Sequence, residues 1–223
     1  MSFLFFFISI HYFPQLNSKL ITGRTISLFR ILSCFIATNS VNGAYASAGD
    51  LICLLQTCAF LEVVHGAIGI VPSGVLFPLM QWSGRTHFLL AIVRRLHEVQ
   101  ELPAVFITFF AWSLTEVIRY SHYALNISGS CPSWLTYLRY TLFIVLYPMG
   151  LAPGEMWLMY QALPYIKEKN LYGDFFASVP FSYYNFVTVV LLIYPFLWLN
   201  LYLYLFKQRR SKLGNQHHNK KKI

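Results

Sequence analysis

Charged residues are scarce in this 223-residue chain, where Asp, Glu, Lys and Arg together make up only 11% of the sequence. A water-soluble globular domain usually carries about a quarter of such residues. Hydrophobic residues account for 57% and aromatic residues for 18%, and they fall in long apolar blocks that a soluble core does not need. The sequence therefore indicates an integral membrane protein.

Cysteine is also rare, and its pattern predicts neither a disulfide framework nor a metal site. The four cysteines show no CxxC pair and no metal-type pairing with histidine. They are Cys34, Cys53, Cys58 and Cys131. We expect them to be buried free thiols that pack as small hydrophobic side chains.

Basic residues are concentrated at the C-terminus, where residues 207–223 hold seven of the 17 Lys and Arg residues. Lys and Arg beside an apolar segment favour the cytosolic side of a membrane. The chain ends KKKI, which matches the dilysine retrieval signal of endoplasmic reticulum membrane proteins in Lys220 and Lys221. We therefore predict a cytosolic tail and an endoplasmic reticulum location. No folded basic domain is present to bind nucleic acid, so nucleic acid is not a predicted partner.

Five apolar segments are long enough, or nearly so, to cross a bilayer core about 30 Å thick. They are residues 51–71, 75–93, 102–125, 134–163 and 186–206. A weaker candidate at residues 26–46 is interrupted by Arg30 and by Asn and Ser residues. The predicted fold is an all-α, multi-pass membrane helix bundle with five spans plus this N-terminal candidate. It divides into a divergent segment at 1–50, a transmembrane domain at 51–206 and the tail at 207–223.

Ionisable side chains occur inside the predicted spans, where each costs roughly 2.5–3.5 kcal/mol near the bilayer centre and usually faces the bundle interior. Glu116 and Arg119 are three residues apart, so they can pair on one helix face, and Glu62 and His65 share this spacing. Arg85 lies mid-span without an acidic residue nearby in the sequence. Tyr120, Arg139 and Tyr140 are further polar candidates for the bundle interior. Pairs that only hold the bundle together are the alternative to a functional role.

The segment LYPMGLAPGEMWLMYQALP (146–164) is apolar, yet two prolines and two glycines interrupt it within eight residues. Irregular backbone at membrane depth persists only where protein or a water-filled cavity satisfies its polar groups. Tyr147 and Glu155 are therefore predicted to line an internal cavity. A carboxylate and a phenol together can act as an acid–base pair. The alternative is a kinked helix in which both side chains only form hydrogen bonds.

Several motifs occur in an order that resembles the 3-hydroxyacyl-CoA dehydratases, also called protein-tyrosine-phosphatase-like A proteins. They are LEVVHGAIGIVPS (61–73), MQWSGR (80–85), TEVIRYSHY (115–123), LRYTLFIVLYPMG (138–150), YQALPYIK (160–167) and YLFKQRR (204–210). The resemblance covers about residues 51–212. It implies an endoplasmic reticulum enzyme, usually described with six helices, that acts at the third step of very-long-chain fatty acid elongation. This enzyme removes water from (3R)-3-hydroxyacyl-CoA to give trans-2-enoyl-CoA.

The resemblance also implies the site and its partners. The catalytic tyrosine and glutamate of the family fall on Tyr147 and Glu155. We assign Glu155 as the base and Tyr147 as the acid, although the two roles could be exchanged or relayed through water. The chemistry needs no metal and no redox cofactor. The implied partners are a long-chain 3-hydroxyacyl-CoA substrate, membrane lipid and other fatty acid elongation enzymes.

The sequence departs from the family pattern in two places. The family separates its tyrosine and glutamate by seven positions, whereas Tyr147 and Glu155 are eight apart. On an unbroken helix the extra residue would rotate the glutamate by about 100°. In a segment that is already broken, a local bulge could absorb it. Residues 1–50 also lack the aromatic-rich first helix expected of the family.

Three other functions can be weighed against the dehydratase. A catalytically impaired member that serves as a membrane scaffold for elongation enzymes is the main alternative, and the altered spacing motivates it. Buried charges would suit a small transporter or channel, but no repeat symmetry supports one. The phosphatase of the older family name is rejected, because none of the four cysteines is followed by the arginine that cysteine phosphatases require.

Overall fold

A computed structural model describes the backbone of residues 2–68 and 75–220. Side chains are described from residue 18 to residue 213 within these ranges, except at 62, 65 and 77. The predicted Glu62–His65 pair therefore lies outside the described side chains, and the end of the dilysine pattern lies outside the described residues.

The described chain is helical throughout, which confirms the all-α class. The elements are α1 (Ser2–Thr38), α2 (Ala44–Cys58), α3 (Phe60–Ala67), α4 (Leu76–Thr86), a π-helix (His87–Val93), α5 (His97–Gln100), α6 (Pro103–Ile127), α7 (Ser133–Arg139), α8 (Phe143–Met149), a second π-helix (Gly150–Met156), α9 (Trp157–Glu168), α10 (Gly173–Phe176) and α11 (Tyr183–Lys220).

Three stretches are long and apolar enough to cross a membrane by length and composition: Ser18–Thr38, Ser133–Glu168 and Tyr183–Leu213. The last two contain the predicted spans 134–163 and 186–206. The predicted count of five spans is not confirmed. The other three expected spans fall on helices that are interrupted, as between α2 and α3, or that carry ionisable side chains, as α4 and α6 do.

The N-terminal candidate span was placed wrongly at 26–46, because α1 ends at Thr38. The next residue, Asn39, has a φ of 49°, and a left-handed residue of this kind commonly ends a helix. The Thr38 hydroxyl donates to the Cys34 carbonyl at 2.7 Å, and the Ser40 amide donates to the Thr38 hydroxyl at 3.3 Å. The apolar stretch that can span the membrane is therefore 18–38, and α2 begins after this turn.

The helix α6 lies at the centre of the fold and packs against α1, α2, α7, α8, α9 and the second π-helix. Its buried side chains include Val105, Phe109 and Trp112, which join one apolar core with Phe88 and Leu158. A central helix with neighbours on several sides has no continuous lipid-facing surface. This position explains how α6 can carry Glu116 and Arg119.

The two ends of the bundle can be distinguished by their contacts. Lys169 Nζ lies 2.5 Å from Glu98 Oε1, so the chain after α9 meets α5, and this hydrogen bond holds the pKa of Glu98 below its usual value. We call this end, residues 94–102 and 167–182, the loop end. At the other end, the rings of Phe143 and Phe206 lie 5.2 Å apart, which brings the start of α8 beside the last apolar turn of α11. We call that end the tail end, because Lys207 and the basic tail follow there.

A glycine allows the second π-helix to pack closely on α6. A Cβ added at Gly154 would lie 2.5 Å from Thr108 Oγ1, a separation that side chains do not tolerate. A Cβ at Gly150 would lie 3.5 Å from the Ala111 Cβ, which is ordinary van der Waals contact. Gly154 is therefore the position where the spacing of these two elements depends on the absence of a side chain.

We predict that Gly154→Ala destabilises the protein by about 1–3 kcal/mol, the usual result of forcing an extra methyl group into a packed contact. The measurement is the thermal unfolding of the purified protein in detergent or nanodiscs. The double variant Thr108→Ala/Gly154→Ala removes the hydroxyl that clashes and should recover most of the loss. Gly150→Ala is the matched control and should lose less. Equal losses in all three variants would contradict this account.

Candidate active site

A cavity of about 370 Å³ lies inside the bundle, between α4, α6, α11 and the segment that joins α8 to the second π-helix. Most of its wall is apolar. The polar and ionisable side chains that line it include Gln81, Arg85, His87, Thr115, Tyr147, Glu155 and Tyr194. The predicted pair, Tyr147 and Glu155, thus meets at one cavity, as the interrupted sequence indicated.

The second π-helix brings Glu155 to the same cavity as Tyr147 despite the eight-residue spacing. A π-helical turn closes through a hydrogen bond to the fifth preceding residue instead of the fourth, so it holds one extra residue. The Trp157 amide, for example, donates to the Ala152 carbonyl. Pro153, which has no amide hydrogen to donate, lies inside this turn. The extra residue is therefore absorbed locally, and the glutamate keeps the direction it would have after seven positions of a regular α-helix.

Both oxygens of the Glu155 carboxyl group are held by side chains from other helices. Its Oε1 accepts a hydrogen bond from Trp112 Nε1 on α6 at 2.9 Å. Its Oε2 accepts one from the Tyr194 hydroxyl on α11. Glu155 is buried, so these two donors replace the solvation that water would otherwise supply. A carboxyl group held at both oxygens has a fixed orientation toward the cavity.

Trp112 and Tyr194 were not predicted from the sequence. A signal for Trp112 existed, because it lies one helical turn before Glu116 and so shares its face of α6. Tyr194 is harder to find, since its span contains several tyrosines and nothing in the sequence marks the one that meets Glu155. Only the packing of α11 beside the π-helix identifies it.

Aromatic stacking holds the ring of Tyr147. The ring lies parallel to that of Tyr202, with centroids 6.4 Å apart, and Tyr202 in turn stacks on Trp198 at 4.6 Å. Tyr202 is fixed by its own hydroxyl, which donates to the Ile144 carbonyl at 3.0 Å. Among the described residues, the Tyr147 hydroxyl has no hydrogen-bond partner. It is therefore available to a molecule in the cavity.

Four of the predicted supporting residues form one charged cluster beside the cavity. Arg85 Nη1 lies 2.6 Å from Glu116 Oε1, and Arg119 Nη2 lies 2.5 Å from Glu116 Oε2. Arg119 Nη2 also donates to the Tyr120 hydroxyl at 2.8 Å. The predicted Glu116–Arg119 pair is thus confirmed, and Arg85 finds on α6 the acidic partner that its own segment lacks.

Trp112 connects this cluster to Glu155. The Arg85 guanidinium lies over the Trp112 ring, 4.9 Å from its centroid, while the indole N–H of the same residue holds Glu155. Arg85 belongs to the cavity wall, whereas Glu116 and Arg119 stand behind it. The charged cluster therefore fixes the one guanidinium that lines the described cavity.

Two predicted residues lie apart from the cavity, and one buried arginine was not predicted. The Arg139 guanidinium lies 5.8 Å from the Tyr140 ring centroid near the tail end, and neither residue lines the cavity. Arg24 of α1 is only 2% exposed and interacts electrostatically with Glu116. Its Nε and Nη1 atoms have no hydrogen-bond partner among the described residues.

The family model described as "Protein tyrosine phosphatase-like protein, PTPLA" matches residues 56–215 of this chain. The chain belongs to the PTPLA family. The resemblance drawn from the motifs is thereby confirmed, and its expected extent of 51–212 agrees with the matched range. No solved structure matches the chain.

Curated relatives extend the PTPLA match over most of the sequence. The human protein named very-long-chain (3R)-3-hydroxyacyl-CoA dehydratase 2 is 34% identical over 211 residues, covering 92% of this chain and 82% of its own. The mouse protein named dehydratase 1 of the same series is 32% identical over 203 residues, covering 90% and 72%. The human dehydratase 3 is 34% identical over 194 residues, covering 85% and 52%.

We predict that Glu116→Ala destabilises the protein by about 3–5 kcal/mol, because it leaves the Arg85 and Arg119 guanidinium groups without the carboxylate that they share. Thermal unfolding in nanodiscs measures the effect. The control is Glu98→Ala, which removes an exposed partner of Lys169 and should leave the unfolding temperature nearly unchanged. Similar small shifts in both variants would mean that the buried cluster contributes little to stability.

Proposed function

We propose that this chain is a (3R)-3-hydroxyacyl-CoA dehydratase, which removes water from a very-long-chain substrate to give the trans-2-enoyl-CoA. The observation that carries the proposal is the meeting of Tyr147 and Glu155 at one cavity. The named activity of the PTPLA relatives supports the same reaction.

The two side chains suit the two demands of this elimination. The proton on the α carbon of a thioester is weakly acidic, and hydroxide is a poor leaving group. A base must therefore remove the α proton, and an acid must protonate the β hydroxyl so that it leaves as water. Glu155 acts as the base, because Trp112 and Tyr194 hold its carboxyl group in a fixed direction. Tyr147 acts as the acid, because its hydroxyl is not bonded to other described residues.

The surroundings of the pair fit an acyl-CoA. Leu146, Leu151 and Val190 give the cavity an apolar wall that suits hydrocarbon. The CoA head group carries phosphates and would stay at the tail end, where Arg139 and Lys212 each lie close enough to His122 to interact with it electrostatically. We infer that the basic tail lies in the cytosol and that the reaction occurs at the cytosolic face of the endoplasmic reticulum. The third step of elongation, and contact with the enzymes of the other steps, belong to the same proposal.

A scaffold without activity is less well supported than it was from sequence. The scaffold was considered because an eighth position would turn Glu155 away from Tyr147. The π-helix removes this reason, because Glu155 lines the cavity and accepts hydrogen bonds from two donors. No observation in the described part of the chain specifically favours the scaffold.

We predict that Tyr147→Phe and Glu155→Gln each reduce turnover by about 10²–10⁴-fold, the usual contribution of a general acid or base. Microsomes that carry each variant receive a long-chain 3-hydroxyacyl-CoA, and the formation of enoyl-CoA is followed. The matched controls are Tyr160→Phe and Glu168→Gln, which alter exposed residues outside the cavity and should retain full activity.

Each result has a separate meaning. Turnover by the unmodified chain that does not exceed background would reject the dehydratase and favour the scaffold. Full turnover by the Tyr147 and Glu155 variants would reject only the assignment of these two residues.

A second prediction concerns the extra residue. Deletion of Pro153 should convert the π-helical turn into a regular α-helix with the seven-residue spacing, so the glutamate keeps its direction and activity stays within a few-fold of the original. Insertion of one alanine before Pro153 should rotate the glutamate by about 100° and abolish activity. Both variants are assayed with the same substrate. A marked gain on deletion would instead show that the extra residue impairs the site.

A further inference from the structure

The wall of the cavity is closed on one side and open on the other. Its lining residues from α6, α8 and the second π-helix are buried or partly buried, and they include Trp112 and Glu155. The lining residues that are exposed on the outside of the molecule all belong to α4 and α11: Met80, Ser83, Phe186 and Leu197. Within the described residues, α4 and α11 each pack closely against other helices but not against each other. The exposed edge of the cavity therefore lies in the gap between α4 and α11.

This opening faces the region of lipid chains. Leu197 lies ten residues before Lys207, or about 15 Å along the helix axis, inside the apolar stretch 183–213. Of the four residues at the edge of the opening, Met80, Phe186 and Leu197 are apolar, and Ser83 is small. A sideways opening at this depth leads to hydrocarbon.

The cavity is too short to enclose a very long acyl chain. Tyr194, which contacts Glu155, and Phe186, toward the loop end, are eight residues apart, or about 12 Å along α11. A bilayer core about 30 Å thick holds two layers of ordinary lipid chains, so one such chain already extends over roughly 15 Å. A very-long-chain substrate with its head group at the tail end exceeds the space beyond Glu155, and the rest of its chain needs an exit.

We propose that the gap between α4 and α11 is a lateral portal, through which the acyl chain of the substrate extends from the catalytic pair into the bilayer. This inference rests on the proposed dehydratase function. The portal lets the reacting carbons sit between Tyr147 and Glu155 while the remaining methylene groups stay in lipid. The enzyme then accepts chains of increasing length without a cavity that grows to match them.

The test narrows the portal and compares two substrates in microsomes, 3-hydroxyoctanoyl-CoA and 3-hydroxyicosanoyl-CoA. Leu197→Trp fills the opening from α11, and we expect the ratio of the icosanoyl rate to the octanoyl rate to fall by about tenfold or more, a typical effect of altered fit in an apolar site. The matched control is Leu199→Trp. Leu199 is 48% exposed, close to the 45% of Leu197, but does not line the cavity. The ratio should not change in this control.

A second pair repeats the test from α4 and protects it against a variant that fails to fold. Met80 lines the cavity and is 36% exposed, whereas Leu79 is 40% exposed and lies outside the lining. Met80→Trp should lower the ratio, and Leu79→Trp should not. An unchanged ratio in Leu197→Trp and Met80→Trp, or an equal fall in the two control variants, overturns the portal while leaving the dehydratase intact. No turnover of either substrate by the unmodified chain overturns the proposed function and the portal with it.

Discussion

The close packing of the second π-helix against α6 is the contact on which the rest of the site depends. Gly154 lies against Thr108 without room for a side chain, and the next residue, Glu155, reaches Trp112 one turn further along α6. A bulkier residue at position 154 would push the two elements apart and break that hydrogen bond. The extra residue of this chain lies in the same turn, so one short segment provides the close approach, the register and the carboxyl group.

Buried charge has a defined place in this bundle. Glu116 joins arginines from α4 and α6, and both arginine side chains are largely buried, since α6 is central in the bundle. An ion pair in an apolar interior gains little net stability, since desolvation offsets the attraction. The contribution of this ion pair is to hold side chains in position. It holds Arg85 over Trp112, which holds Glu155, so a structural cluster and a candidate catalytic carboxyl group share one indole ring.

Local sequence signals predicted the parts of this fold that local physics decides. Long apolar blocks gave the all-α class, and the prolines and glycines around Tyr147 marked the irregular segment and its cavity. The spacing of Glu116 and Arg119 gave their pair. The signals failed where distant residues decide the outcome: Trp112, Tyr194 and Arg24 acquire their positions only when helices pack. The end of α1 was missed because a single left-handed residue, Asn39, stops a helix that hydropathy alone would continue.

The eight-residue spacing shows why sequence alone left two readings open. Rotation on a regular helix turns Glu155 away, whereas a bulge keeps it in place, and both are consistent with a segment that contains proline. A π-helical turn holds one more residue than an α-helical turn, and the side chains that follow keep their direction. Pro153 disfavours the α-helical alternative because it has no amide hydrogen to donate. The backbone therefore accommodates the extra residue within one turn, between Tyr147 and Glu155, which line the same cavity. An insertion at such a turn changes the local hydrogen bonding while the direction of the functional side chain is preserved.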